Sequence, residues 1–184
     1  GGIGIVHRNL SIEKQAIEVK KVRNTRSASS GQALLVGAAV GINPGFEDRL
    51  KALAKAGVDV IVLDSAHGFT SIMVSAIKFI KKNYKNIDVV AGNIATSDAA
   101  RVLIKAGADA LRVGMGPGAI CTTRIISGMG VPQITAILET VRIAKKTGVP
   151  VVADGGIKYS GDMVKALAAG ASTVMMGSFF AQCL

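Results

Sequence analysis

LAKAGVDVIVLD (residues 53–64), LIKAGADALRVG (103–114) and LAAGASTVMMG (167–177) are three copies of one local design. In each, an amphipathic helical run stops at a glycine, which leaves the helix at little steric cost, and a short apolar strand follows. Gly57, Gly107 and Gly170 are the expected helix C-caps. The strands are unbroken apolar runs without polar alternation, the pattern of strands covered on both faces of a parallel sheet.

Working outward from the repeat, further strands are expected at 4–7, 35–40, 88–91 and 150–153. Helices are expected near 11–22, 46–56, 71–83, 97–106, 132–147 and 160–169. The resulting order, β(αβ)₆, suits either a doubly wound sheet or most of a (β/α)₈ barrel. Polar and glycine-rich residues follow nearly every strand: His7-Arg8-Asn9, Asp64-Ser65, Gly92-Asn93, the stretch 114–123, Asp154-Gly155-Gly156 and Gly177-Ser178. Ligand groups at so many strand ends favour the barrel, because an open sheet binds chiefly at one switch point. The fold expected is therefore α/β, an incomplete (β/α)₈ TIM barrel of about seven strands, as one domain over 1–184. Residues 24–32 (NTRSASSGQ) are polar and aperiodic, and read as an exposed linker that could tolerate an insertion.

The composition limits the class of protein. With 184 residues, 49% of them hydrophobic, the chain has material for one sizeable core. No apolar run is long enough to cross a bilayer, and GGIGIVHRNL lacks the features of a signal peptide, so a soluble cytoplasmic protein without a membrane partner is expected. Cys121 and Cys183 are the only cysteines and do not form a CxxC pair, so reduced thiols are expected. The net charge of +10 is spread over 14–26, 78–85 and 142–146 at spacings typical of helix faces. With no Trp and few other aromatics to stack on bases, a nucleic-acid partner is not expected.

Chemistry concentrates in GMGPGAICTTR (114–124). Its glycines allow backbone N–H groups to approach an anion, although the spacing is neither a P-loop nor a dinucleotide fingerprint. DGG (154–156) and GS (177–178) follow the next two strands, where barrels commonly hold phosphate, so a phosphate site is expected there. Cys121, beyond a strand end, is either a nucleophile or an inert small side chain, with Thr122, Thr123 and Arg124 as neighbours able to support a thiolate. Cys183, in FFAQCL, reads as buried filler. Asp64 and Asp154 could each accept hydrogen bonds from a ribose diol or cap the next helix. Asn93 reads as a ligand contact or a turn former, and His7 and His67 as polar rim residues.

Taken together, GGIGIVHRN, VGAAVG, VDVIVLDSAHG, VVAGNIAT, GADALRVGMGPGAICTTR, GVPQITAI, VVADGGIKYSGD and KALAAGASTVMMGS closely resemble the IMP dehydrogenase / GMP reductase family, the dehydrogenases more than the reductases. The resemblance implies a barrel in which Cys121 attacks C2 of inosine 5′-monophosphate (IMP), hydride passes to NAD, and water releases xanthosine 5′-monophosphate (XMP). It implies Thr123 beside the catalytic cysteine, and Asp154, Gly155, Gly156, Gly177 and Ser178 on ribose and phosphate. It places Asp64, Ser65, Asn93, Gly114 and Gly116 on the NAD side. Carbonyls of Gly116, Gly118 and Cys121 would hold a monovalent cation, usually K⁺, and the assembly would be a homotetramer. The alternatives it leaves are a GMP reductase using NADPH and a non-catalytic nucleotide-binding barrel.

The sequence departs from the family pattern at Ala119, where a phosphate-binding serine is usual. A pair of regulatory CBS domains usually sits where NTRSASSGQ stands. A first barrel strand before Gly1, and a last helix and mobile flap after Leu184, are also expected of the family. The chain therefore reads as a fragment, and alone it should expose an apolar sheet edge.

Overall fold

The computed structural model describes residues 2–118 and 122–181. Its seven strands are β1 (Gly4–Val6), β2 (Val36–Val40), β3 (Val60–Asp64), β4 (Asp88–Ile94), β5 (Ala110–Val113), β6 (Val151–Asp154) and β7 (Thr173–Met175). They form one parallel sheet in strictly sequential order. That order decides between the two expected architectures. A doubly wound sheet reverses at a switch point, whereas a barrel adds every strand on the same side of the last. The chain is α/β, an incomplete (β/α)₈ barrel.

The helices are α1 (Ile12–Asn24), α2 (Phe46–Ala56), α3 (Ser71–Asn83), α4 (Ser97–Ala106), α5 (Thr123–Ser127), α6 (Gln133–Ala144), α7 (Ser160–Ala168) and α8 (Ser178–Ala181). Ser11, Thr70 and Thr96 start α1, α3 and α4 by accepting from the amides of Lys14, Met73 and Ala99, which satisfies donors that have no partner inside the helix. Alternate strand residues, among them Ile61, Leu63, Val89, Ala91, Leu111 and Val113, enter the core between sheet and helices. Their intervening neighbours, such as Val62 and Arg112, are also buried but lie outside that cluster, on the concave side of the sheet.

The repeat that fixed the fold also ties neighbouring strands together at their N-terminal ends. Asp59 donates its amide to the Val36 carbonyl and accepts the Val36 amide on its carboxylate. Asp109 makes the same pair with Val89, and Ser172 with Val151. Arg23 and Lys81 cross to Asp59 and Asp109 at 3.0 and 2.8 Å, neutralising both carboxylates.

Several expectations change. Strand β4 runs on to Ile94 through a register shift against β5, and α1 continues to Asn24. The short helices α5 and α8 carry too few residues to show a periodicity. Gly57 and Gly107 do cap α2 and α4, but the C-cap of α7 is Ala169 and the left-handed Gly170 (φ 101°) follows it. β1 and β7 are only partly covered, because among the described residues each has a neighbouring strand on one side only. The 24–32 segment is largely exposed but locally paired. Arg26 bridges Ala33, Ser27 donates to the Gln32 carbonyl, and Gly31 turns the chain at φ 66°.

Candidate active site

The C-terminal ends of β4, β5, β6 and β7 border a cleft of about 360 Å³. It is lined by Asn93, Gly114, residues 116–118 and 154–158, Met175, Met176 and Gly177. Glycine is needed here for closeness of approach. A Cβ at Gly114 would collide with the Asp154 carbonyl, and one at Gly92 with the Arg112 carbonyl. The loops after β5 and β6 also pack closely, though less tightly, since a Cβ on Gly155 would lie 3.0 Å from Pro117 Cγ and one on Gly156 3.1 Å from the Pro117 carbonyl. Gly155 and Gly156 are both left-handed (φ 89° and 76°), a backbone shape that can form an anion-binding concavity. The amides of Gly156 and Ile157 have no acceptor among the described residues.

A charged network runs beneath the cleft. Arg112, in the middle of β5, is buried, and its Nη2 donates to Asp64 Oδ1. Its Nη1 lies 3.7 Å from Asp154 Oδ2 and 3.9 Å from the Met175 sulfur. Arg8, from the loop after β1, donates through Nε to the other Asp64 oxygen at 2.7 Å. Asn93 Nδ2 donates to Asp154 Oδ2 at 3.0 Å and to the Gly114 carbonyl at 2.6 Å. Gln133 Nε2 joins the ends of β5 and β6 by donating to the carbonyls of Val113 and Asp154, each at 3.0 Å. Three atoms of this network, Asn93 Oδ1, Arg112 Nε and Gln133 Oε1, are buried without a hydrogen-bond partner among the described residues.

Neither carboxylate caps a helix. Thr70 caps α3, and at the start of α7 it is Asp162 that accepts the amides of Lys158 and Tyr159. Burial works against ionisation of Asp64, but the Arg8 hydrogen bond and the Arg112 charge outweigh it and hold the carboxyl below its ordinary value. A carboxylate oxygen offers two lone pairs. Asp64 spends one on each arginine, and Asp154 Oδ1 has no donor among the described residues, so both retain acceptor capacity for hydroxyl groups.

Of the residues singled out in sequence, Asn93, Gly114, Gly116, Gly118, Asp154, Gly155, Gly156 and Gly177 meet around one cleft. Asp64 is not among its lining residues and is joined to it through Arg112. The Ser65 hydroxyl is turned to its own loop, donating to the His67 carbonyl at 3.0 Å. Ser178 opens α8 and Thr123 opens α5, whose carbonyl accepts from Ser127 at 2.6 Å. Arg124 packs where Gly116 and Gly130 lack side chains, and donates to the Val131 carbonyl at 3.4 Å. Cys121, Ala119 and Cys183 lie outside the described residues. His7 accepts the Asn9 amide at 3.3 Å, and His67 lines a second, apolar cavity of about 310 Å³ with Phe69, Met115 and Met129. The sequence reading missed Arg112 and Gln133. The available signals were a lone charge inside ALRV and a glutamine placed directly after Pro132 at a helix start.

The family model described as "IMP dehydrogenase / GMP reductase domain" matches residues 1–184. The chain belongs to this family. It is 52% identical over 168 residues to the inosine-5′-monophosphate dehydrogenase of Aquifex aeolicus, covering 91% of this chain and 34% of the relative. It is 46% identical over 217 residues to that of Cryptosporidium parvum, covering 98% and 54%, and 58% identical over 149 residues to that of Rhodopirellula baltica, covering 80% and 27%. The chain thus spans about a third to a half of the first two relatives' length. For this family member, the cleft lies at the face where barrel enzymes assemble their sites. No helix among the described residues is long and apolar enough to cross a membrane.

Proposed function

We propose that the chain is the catalytic-barrel portion of an IMP dehydrogenase, oxidising IMP to XMP with NAD. The observation that carries this reading is a single cleft that joins the Gly114–Gly118 side of the Cys121 loop to Asp154, Gly155, Gly156 and Gly177. Asp154, with Oδ2 held by Asn93, presents Oδ1 to the ribose diol of IMP. Gly155, Gly156, Gly177 and Ser178 receive its phosphate through backbone amides, a hydroxyl and left-handed turns. Phosphate binding is remote from the reacting carbon, so its energy serves to orient the purine.

Cys121 then acts as the nucleophile. Its thiolate forms a bond to C2 of the purine, and loss of the C2 hydrogen with its electron pair leaves a thioimidate on the sulfur. NAD, when bound, supplies the acceptor for that hydride. Water adds at C2, the C–S bond breaks, and XMP and a proton leave. Thr123 sits two residues beyond the sulfur. Asp64 suits a nicotinamide nucleoside because it keeps lone pairs for a diol after satisfying both arginines, and Asn93, Gly114, Gly116 and Ser65 complete that side. Neutral carbonyls at Gly116, Gly118 and Cys121 are hard oxygen donors of the kind an alkali cation such as K⁺ takes. Among the described residues no group of three His, Cys, Asp or Glu stands at metal spacing. A cytoplasmic homotetramer, with the 24–32 segment as the joining point for a regulatory domain pair, completes the proposal.

A spectrophotometric assay of the full-length protein tests it. NADH formation with IMP is the expected result, and NADPH oxidation with GMP in its place would assign the reductase instead.

A further inference from the structure

The cleft contains two charged side chains among its described lining residues, Asp154 and Lys158, at opposite ends of the 154–158 loop. Lys158 is exposed and has no ion pair among the described residues. The nearest acid along the chain is committed elsewhere. Asp162 Oδ2 accepts the amides of Lys158 and Tyr159, each at 3.1 Å, and Oδ1 faces Lys165 at 3.6 Å. Asp162 therefore fixes the Lys158 backbone and leaves the ammonium free.

The same carboxylate creates an electrostatic problem for any anion. A helix N-terminus favours negative charge, but α7 already has Asp162 there, whose carboxyl the Lys158 and Tyr159 amides hold below its ordinary value. A phosphate dianion on Gly156 and Ile157 would meet a like charge at the helix start. The sequence supplies no hydroxyl at Ala119 to compensate.

We propose that Lys158 is a specificity-determining residue of this cleft, its ammonium contacting the phosphate of the bound nucleotide and offsetting Asp162. The proposal rests on the reading of the cleft as a site for a purine nucleoside monophosphate. Opposite charges at the two ends of this one loop match such a ligand: the carboxylate takes the neutral diol and the ammonium takes the dianion. A lysine serves here as a mobile point charge, while the glycine amides provide the directional bonds.

Calorimetric titration of the full chain with IMP and with inosine, comparing wild type, Lys158→Gln and Lys158→Arg, tests the assignment. Lys158→Gln should weaken IMP binding about five- to tenfold, the scale of a solvent-accessible charge-assisted contact. It should also flatten the salt dependence and leave inosine binding unchanged, and Lys158→Arg should retain most of the affinity. Equal IMP affinity and salt dependence in wild type and Lys158→Gln would overturn the assignment. So would an equal loss for inosine, since that marks a structural role. Failure of the wild type itself to bind IMP would instead defeat the nucleotide reading, and is distinguished by appearing without any substitution.

Discussion

Asp59 and Asp109 at one end of the barrel, and Asp64 and Asp154 at the other, are the same side chain at the two ends of apolar strands. Their partners separate them. At the N-terminal end each aspartate accepts the amide of the neighbouring strand and is neutralised by a cation from an adjacent helix, Arg23 or Lys81. Both oxygens are occupied within the fold. At the C-terminal end Asp64 and Asp154 share the buried Arg112, receive side-chain donors from Arg8 and Asn93, and keep lone pairs that nothing among the described residues uses. One end commits its carboxylates to strand register, and the other leaves acceptor capacity on them.

Substitutions can break that division. The largest effect is expected at Gly114, where an added Cβ would strike the Asp154 carbonyl and φ is 152°. Gly114→Ala should destabilise the protein by about 3 kcal/mol or more in urea unfolding. A near-neutral result would mean that the loops after β5 and β6 are not packed as described. Next come two substitutions that should behave as mirror images. Asp109→Ala should cost about 2 kcal/mol of stability, through a lost amide acceptor and an unpaired Lys81, while the folded fraction binds IMP with unchanged affinity. Asp154→Asn should weaken IMP binding by about tenfold with a smaller change in stability. If both variants lost stability alone, the two ends would not differ in function.

The smallest expected effect is one of pH. The folded-state pKa of Asp64 is depressed, so its contribution to stability is present at neutral pH and above. It is lost as pH falls from the ordinary carboxylate range, about 4, through the lower folded value. The stability difference between wild type and Asp64→Asn should therefore shrink in acid and be constant above about pH 5. A difference that grows in acid would contradict the ion-pair account.

Much of this was legible in the sequence, because repetition exposes what one copy hides. The AGVD, AGAD and AGAS turns announced helix ends and strand starts, and the strand ends announced the rim. The glycines at 114, 155 and 156 were legible as positions where backbone amides could approach an anion. Their partners were not, since the collision with the Asp154 carbonyl spans two strands. Arg112 was hidden for the same reason: within ALRV nothing local indicates that its guanidinium reaches carboxylates 48 and 42 positions away. The choice between ligand contact and helix cap for Asp64 and Asp154 depended on Thr70 and Asp162 taking the caps, and several local assignments were equally plausible there. Nothing local in GGIKYSGD marks Lys158, because the engagement of Asp162 by the Lys158 and Tyr159 amides exists only in the folded helix start.

In the proposed function, the glycine-rich loop delivers Cys121 to a nucleotide held by Asp154 and the phosphate turns. Incubation with 6-chloro-IMP tests it directly, because attack by a thiolate forms a C–S bond as the C–Cl bond breaks and chloride leaves. Intact mass spectrometry should show one equivalent of nucleotide per chain, lost in Cys121→Ala and slowed in Asp154→Asn. No adduct on the wild type, or one that persists in Cys121→Ala, would contradict the account.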